Sequence, residues 1–201
     1  MPNWCENKLE IIGSKKQLEK IINIIKKDNK KNLELLNLSS FIPIPKIAPK
    51  GYNVIDKYAQ KLDDSYPKWY RQNWYNYNVD YYGTKWIEDI NLFLVGDIDV
   101  YSKEKNIYHI HLAFETAWSP LNEKFLIKFS KKFNVYLILG YVEPGVGYIG
   151  GSIVSKNNYY DFNKDIDFKF NDDKDNWEKF LDWASDELES IYNDLKKAIN
   201  F

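Results

Sequence analysis

Two long runs of alternating character, "INLFLVGDIDVYS" and "IYHIHLAFET", meet across the short polar stretch "SKEKN", and this pairing limits the fold more than any other feature of the chain. Alternation with a period of two sends successive side chains to opposite faces of a strand. Ile90, Leu92, Leu94, Ile98 and Val100 fall on one face of the first run, and Tyr108, Ile110, Leu112 and Phe114 on one face of the second. So short a link joins strands only as an antiparallel hairpin, because a parallel pair needs a crossover of a dozen residues or more. An antiparallel sheet with one apolar face follows, and other segments must supply its cover.

The flanking segments supply it twice. Residues 3–12, "NWCENKLEII", place Cys5, Leu9 and Ile11 on one face and Glu6, Lys8 and Glu10 on the other, which reads as a half-buried strand. Gly13 ends that strand, and Ser14 caps a helix carrying Leu18, Ile21, Ile22 and Ile25 at helical spacing. After the hairpin, Ser119 and Pro120 read as a cap and first turn for a helix striped by Leu121, Phe125, Phe129 and Phe133, and the strand "VYLILGYV" follows. The order is βαββαβ, so the expected class is α+β. Its plan is ferredoxin-like, with both helices on one face of an antiparallel sheet and the other face free.

Three segments lie outside this plan. Residues 37–86 form a long insertion within a domain spanning 1–155. Its prolines in "FIPIP" remove backbone donors and rule out a central strand, and the rest is expected to be irregular, with a short helix at 54–62. "EPGVGYIGG" makes a tight return into "SIVS", an added edge strand. Residues 156–175 read as an acidic linker. Residues 176–201 read as an amphipathic helix on the stripe Trp177, Phe180, Leu181, Ala184, Leu188 and Ile191, docked on the same domain or on a partner subunit.

Composition narrows the function classes. A net charge of -1 argues against a generally basic nucleic-acid binder, and the lysines of the first helix read as its solvated face. The single cysteine excludes an intramolecular disulfide and a cysteine-rich zinc module. With no signal-like N-terminus and no apolar run long enough to span a bilayer, the expected setting is cytoplasmic, with no membrane partner.

Five segments, "MPNWCENKL", "FIPIP", "YGTKW", "FETAWSP" and "YVEPGVGYIGG", occur in an order that resembles the YubB-like family of phage and plasmid proteins with a ferredoxin-like domain. The likeness covers roughly residues 1–155. It implies a mobile-element accessory protein, for which counter-defence is a natural role, and it brings no established activity with it.

The candidate site begins with "KWYRQNWYNYNVDYYGTKW", where eight aromatic rings stand among Asn, Gln, Asp, Lys and Arg with Val79 as the only aliphatic residue. Such a mixture suits a surface that is apolar and hydrogen-bonding at once. The expected ligand-binding residues are Trp4, Trp74, Tyr82, Thr84, Lys85, Trp86, Thr116, Trp118, Glu143 and Tyr148: rings to stack, Lys85 for a phosphate, hydroxyls for a ribose or base edge, and Glu143 at the rim of the glycine-rich turn. The competing reading is that Trp86 and Trp118 only pack the insertion onto the core, with Ser119 a helix cap.

His109, His111 and Glu115 share the polar face of their strand. Two imidazoles at that spacing suit a metal with a carboxylate from the neighbouring strand, Asp97 or Asp99. The plainer reading is polar residues on an open sheet face, so the sequence assigns no metal, no cofactor and no catalytic residue. Cys5 reads as a buried small hydrophobe. No triad or carboxylate pair converges on the rings. The preferred reading is therefore a non-enzymatic sponge for a nucleotide-derived immune signal. A nucleic-acid-binding module, a direct inhibitor of a host defence protein and a phosphodiesterase are the alternatives, and a homo-oligomer fits any of them.

Overall fold

The computed structural model describes residues 3–29, 34–52, 64–145, 147–155, 158–165 and 186. Its elements in chain order are β1 (Trp4–Gly13), α1 (Lys15–Asp28), β2 (Leu35–Leu36), α2 (Leu38–Phe41), α3 (Lys68–Tyr82), β3 (Ile90–Val95), β4 (Asp99–Ser102), β5 (Ile107–Ala117), α4 (Glu123–Phe133), β6 (Tyr136–Glu143), β7 (Tyr148–Ser155) and β8 (Asn158–Asp165). The strands form one sheet in the order β2-β3-β5-β1-β6-β7-β8, with β4 also paired to β5. Every pairing is antiparallel. The sheet is larger than the plan read from the sequence. β7 runs the whole length of β6, and β8 takes residues 158–165 out of the expected linker to form the outer edge. The expected helix at 54–62 lies outside the described residues, and so does that at 176–201 apart from Asp186.

The helix-bearing face is the main core. Leu9, Ile11, Ile110, Leu112, Phe114, Leu137 and Leu139 meet Leu18, Ile21 and Ile25 of α1 and Phe125, Leu126, Phe129 and Phe133 of α4, all nearly closed to solvent. The opposite face is not free, as the sequence had implied. Ile12, Ile138, Val142, Ile149 and Ile153 are buried there, together with the carboxylate of Glu10. The hairpin also departs from simple alternation. A register shift between Leu92 and Leu94 moves the apolar set off the core face, leaving Leu94 and Val100 about half exposed.

The aromatic stretch is a helix rather than an irregular wall. Tyr70, Asn73, Trp74, Tyr77, Asn78 and Tyr82 are buried, and their spacing of three and four places them on one side of α3, against the core. The periodicity was hidden because rings and amides carry it instead of aliphatics. Burial of these polar groups is offset by hydrogen bonds: Tyr82 Oη donates to Ile42 O at 2.7 Å, and Tyr70 Oη donates to Asn78 Oδ1 at 2.9 Å. Burial pushes the phenols of Tyr70, Tyr77 and Tyr82 above their ordinary range.

Tyr77 separates ring packing from hydroxyl bonding, since its hydroxyl is buried with no hydrogen-bond partner among the described residues. Tyr77→Ala is expected to cost about 3–5 kcal/mol in chemical denaturation, as for other buried large-to-small aromatic changes. Tyr77→Phe should leave stability unchanged or raise it. A silent Tyr77→Ala variant would contradict the placement of α3.

Candidate ligand-binding platform

α3 ends at Gly83, whose φ of +89° belongs to the left-handed region that glycine enters without strain. Its N–H donates to Asn78 O at 3.1 Å and Val79 O at 3.2 Å. A Cβ there would stand 2.4 Å from Pro120 O and 2.6 Å from Asn122 N, so only glycine lets residues 83–86 press against residues 118–122.

Side chains aimed at the backbone then fasten the two loops. The buried Thr84 Oγ1 accepts from Ala117 N at 3.0 Å and donates to Ala117 O at 3.2 Å. Ser119 Oγ donates to Gly83 O. Thr116 Oγ1 donates to Ser119 O at 2.7 Å and accepts from Asn7 Nδ2 at 2.8 Å. Asn78 Nδ2 donates to Lys85 O at 2.9 Å, tying the lysine backbone to α3. Ser119 is therefore a loop fastener and not a cap. The cap of α4 is Asn122, whose side chain accepts from Phe125 N at 3.2 Å.

Trp118 sits at φ +72°, an uncommon conformation for a bulky residue. Its N–H donates to Asn3 O at 2.8 Å, and its carbonyl accepts from Tyr148 Oη at 2.9 Å. The result is a row of rings at the end of the sheet. Trp4, Trp86 and Trp118 are 41%, 38% and 36% exposed. Trp4 and Trp86 lie 5.7 Å apart, and Trp118 meets Tyr75 at 5.9 Å. Lys85 Nζ stands 4.9 Å from the Trp86 ring and 5.1 Å from the Trp118 ring. A hollow of about 200 Å³ opens beside Lys85 and Trp86, lined also by Tyr66, Tyr70, Trp74 and Glu88. On the other side of the fastened loops a cleft of about 550 Å³ runs past Gly83, Ser119, Asn122, Tyr141, Tyr148 and Tyr159.

Of the residues expected at a ligand, the structure brings Trp4, Lys85, Trp86 and Trp118 together at the surface, with Tyr148 beside them. Thr84 and Thr116 are buried and hold the loops. Tyr82 belongs to the core on the inner side of α3, and Trp74, also largely buried there, lines the hollow beside Lys85 and Trp86. Glu143 is fully buried instead of standing at a rim, and Gly145 N–H donates to its Oε1 at 3.2 Å. Gly83, Asn78 and Tyr75 were missed. Gly83 was the legible one, since a glycine after a ring-rich run marks a helix C-terminus.

His109 and His111 converge on Glu10 of β1, and Asp99 stands opposite His109 in the β4–β5 ladder. Glu115 lies opposite Glu6 in the β1–β5 ladder, apart from them, and its charge raises the Glu6 carboxyl after burial has already done so. Burial, then the Glu143 charge, pushes the Cys5 thiol far up, which removes it as a nucleophile.

Residues 98–184 match the family described as "Ferredoxin-like domain in Api92-like protein". The chain carries a ferredoxin-like domain. The match begins at β4 and takes in Trp118, Tyr148 and both histidines, whereas Trp4, Lys85 and Trp86 precede it, so the platform draws on residues inside and outside the matched span. The match does not extend to the YubB-like or phage and plasmid assignment. The crystal structure of protein api92 from Yersinia pseudotuberculosis overlays with a TM-score of 0.43 at 10% identity, covering 81% of this chain and 98% of that one. No curated protein matches the chain. Among the described residues, no helix is long and apolar enough to cross a membrane.

Two outcomes follow. Gly83→Ala, forced into a left-handed backbone against Pro120 O, should cost more than about 1 kcal/mol and lower Tm by at least about 2–4 °C; an unchanged Tm would mean the loops are not pressed together. Cys5 should resist iodoacetamide in the native protein at pH 8 and react once the chain is unfolded. Native labelling at a free-thiol rate would contradict its burial.

Proposed function

We propose that the chain is a binding protein that sequesters a nucleotide-like small molecule on the platform of Trp4, Lys85, Trp86 and Trp118. The observation that carries this reading is the meeting of two indole rings, Trp86 and Trp118, at one lysine ammonium, with a third, Trp4, packed against Trp86 and all three more than a third exposed. Tryptophan is highly buried on average, so three open rings at one end of a sheet ask for an occupant. Indole faces stack on bases of any sequence, and a lysine beside them meets a phosphate. The neighbouring cleft lies within the usual range for small-ligand sites.

Binding without turnover agrees with the chemistry at hand. Thr84, Thr116 and Ser119 commit their hydroxyls to backbone groups, and Cys5 is buried with a raised thiol. β1, α1, β3, β5, α4 and β6 read as the βαββαβ core, with the remaining strands and α3 as additions that place the platform at its end. A binder of this kind acts by stoichiometry, which suits a counter-defence sponge that holds a nucleotide-derived immune signal.

Calorimetry against cyclic dinucleotides and ADP-ribose derivatives tests the reading. Trp86→Ala should weaken binding by the roughly 1–3 kcal/mol that one stacked base contributes. Lys85→Ala should weaken it and flatten its salt dependence. Both variants should melt close to the parent, because neither residue is in the core. Absence of heat with every nucleotide sinks the small-molecule reading and leaves the rings as a docking surface for a protein, where exposed tryptophan is a frequent anchor.

A further inference from the structure

Glu10 is a carboxylate with no exposed surface on the sheet face opposite α1 and α4. It lies directly across from His111 on one side and from the buried Ile138 on the other. Burying a carboxylate among isoleucines is costly unless the charge is paired or coordinates a metal. Both histidines of the chain converge on it. His109 Nδ1 is in contact with Glu10 Oε1, and His111 Nε2 stands 3.7 Å from the same oxygen. The two imidazole rings are 4.9 Å apart, and Tyr101 packs edge-on against His109 at 5.5 Å.

We infer that Glu10, His109 and His111 form a binding site for a divalent transition-metal ion of the zinc type, with at least one coordination position open to water or an anionic ligand. One ligand atom from each residue lies within 4.8 Å of the others. In a tetrahedral site with bonds of about 2.0–2.1 Å the ligand atoms sit about 3.4 Å apart, so small side-chain rotations close the set around an ion. Two imidazoles and a carboxylate are the donors that zinc and its neighbours favour over magnesium or calcium. The burial gradient fits entry from solvent: Glu10 forms the floor at 0% exposure, His109 is 19% exposed and His111 43%. Strands β1 and β5 hold all three residues, so the geometry is set by sheet register and not by a loop.

The site is separate from the ring platform. Glu10 lies six positions along β1 from Trp4, a span of about 20 Å along an extended strand. Its occupancy and nucleotide binding are therefore independent questions.

Titration of the chelator-treated full chain with Zn²⁺, followed by calorimetry and thermal melting, decides the matter. One equivalent of zinc should bind, with a saturable rise in Tm. His111→Ala changes a half-exposed side chain and should reduce zinc affinity tenfold or more while the metal-free Tm stays put. Glu10→Gln keeps the size of the buried group, removes its charge and should reduce affinity likewise. Trp86→Ala on the platform should bind zinc as the parent does. A chain that shows no saturable zinc binding overturns the inference, and so does zinc binding that survives either His111→Ala or Glu10→Gln.

Discussion

The hydroxyl of Thr84 pairs with both backbone polar groups of one residue, accepting from Ala117 N–H and donating to Ala117 C=O. That pair joins the loop after α3 to the end of β5 at a buried point, and it positions Lys85 and Trp86 against Trp118. A buried backbone group left unpaired costs as much as a lost hydrogen bond, so the loops cannot part without exposing or orphaning Ala117. Trp86 two residues after Thr84 and Trp118 one residue after Ala117 are thereby fixed relative to each other, with Lys85 between their rings. A platform assembled before its ligand arrives loses little side-chain entropy on binding.

The helix α3 explains why so many rings and amides share one stretch. Its inner side must fill core space, as Tyr70, Trp74, Tyr77 and Tyr82 do, while the same turns must also supply hydrogen bonds to irregular backbone nearby. Tyr82 reaches Ile42 O, Asn78 reaches Lys85 O, and Trp69 Nε1 donates to Pro45 O at 3.1 Å. Aliphatic side chains fill space but cannot do this. Tyrosine and tryptophan do both, with an apolar body and a polar tip. The proline-rich segment "FIPIP", which has few backbone partners of its own, is held by these tips.

The legible parts of the fold were those with aliphatic periodicity. β1, α1, β5, α4 and β6 follow from alternation or from a three-to-four spacing of Leu, Ile and Phe, and the structure places them as those patterns require. α3 was hidden because its spacing is written in Tyr, Trp and Asn, which a hydrophobicity pattern scores as mixed. β8 was hidden because Asn, Asp and Lys dominate an edge strand and look like a linker. The site was half legible. The motifs "GTKW" and "TAWSP" do come together, but residue type alone could not say that Thr84 and Thr116 face inward as fasteners while Trp86 and Trp118 face outward. Glu10 shows the converse limit. Alternation put it on the right face, and only the register with β5 and β6 revealed that this part of the face is closed and that both histidines meet it.

The central claim is that the tryptophan platform is preformed by the fastening of residues 83–86 to residues 116–119. Amide hydrogen exchange of the free protein, read residue by residue at Ala117 and Trp118, tests it most directly. The account predicts protection at both amides comparable to the interior of β5, because Ala117 N–H is held by Thr84 Oγ1 and Trp118 N–H by Asn3 O. Exchange of both at the rate of an open loop would contradict it, since the rings would then have no fixed relation before binding.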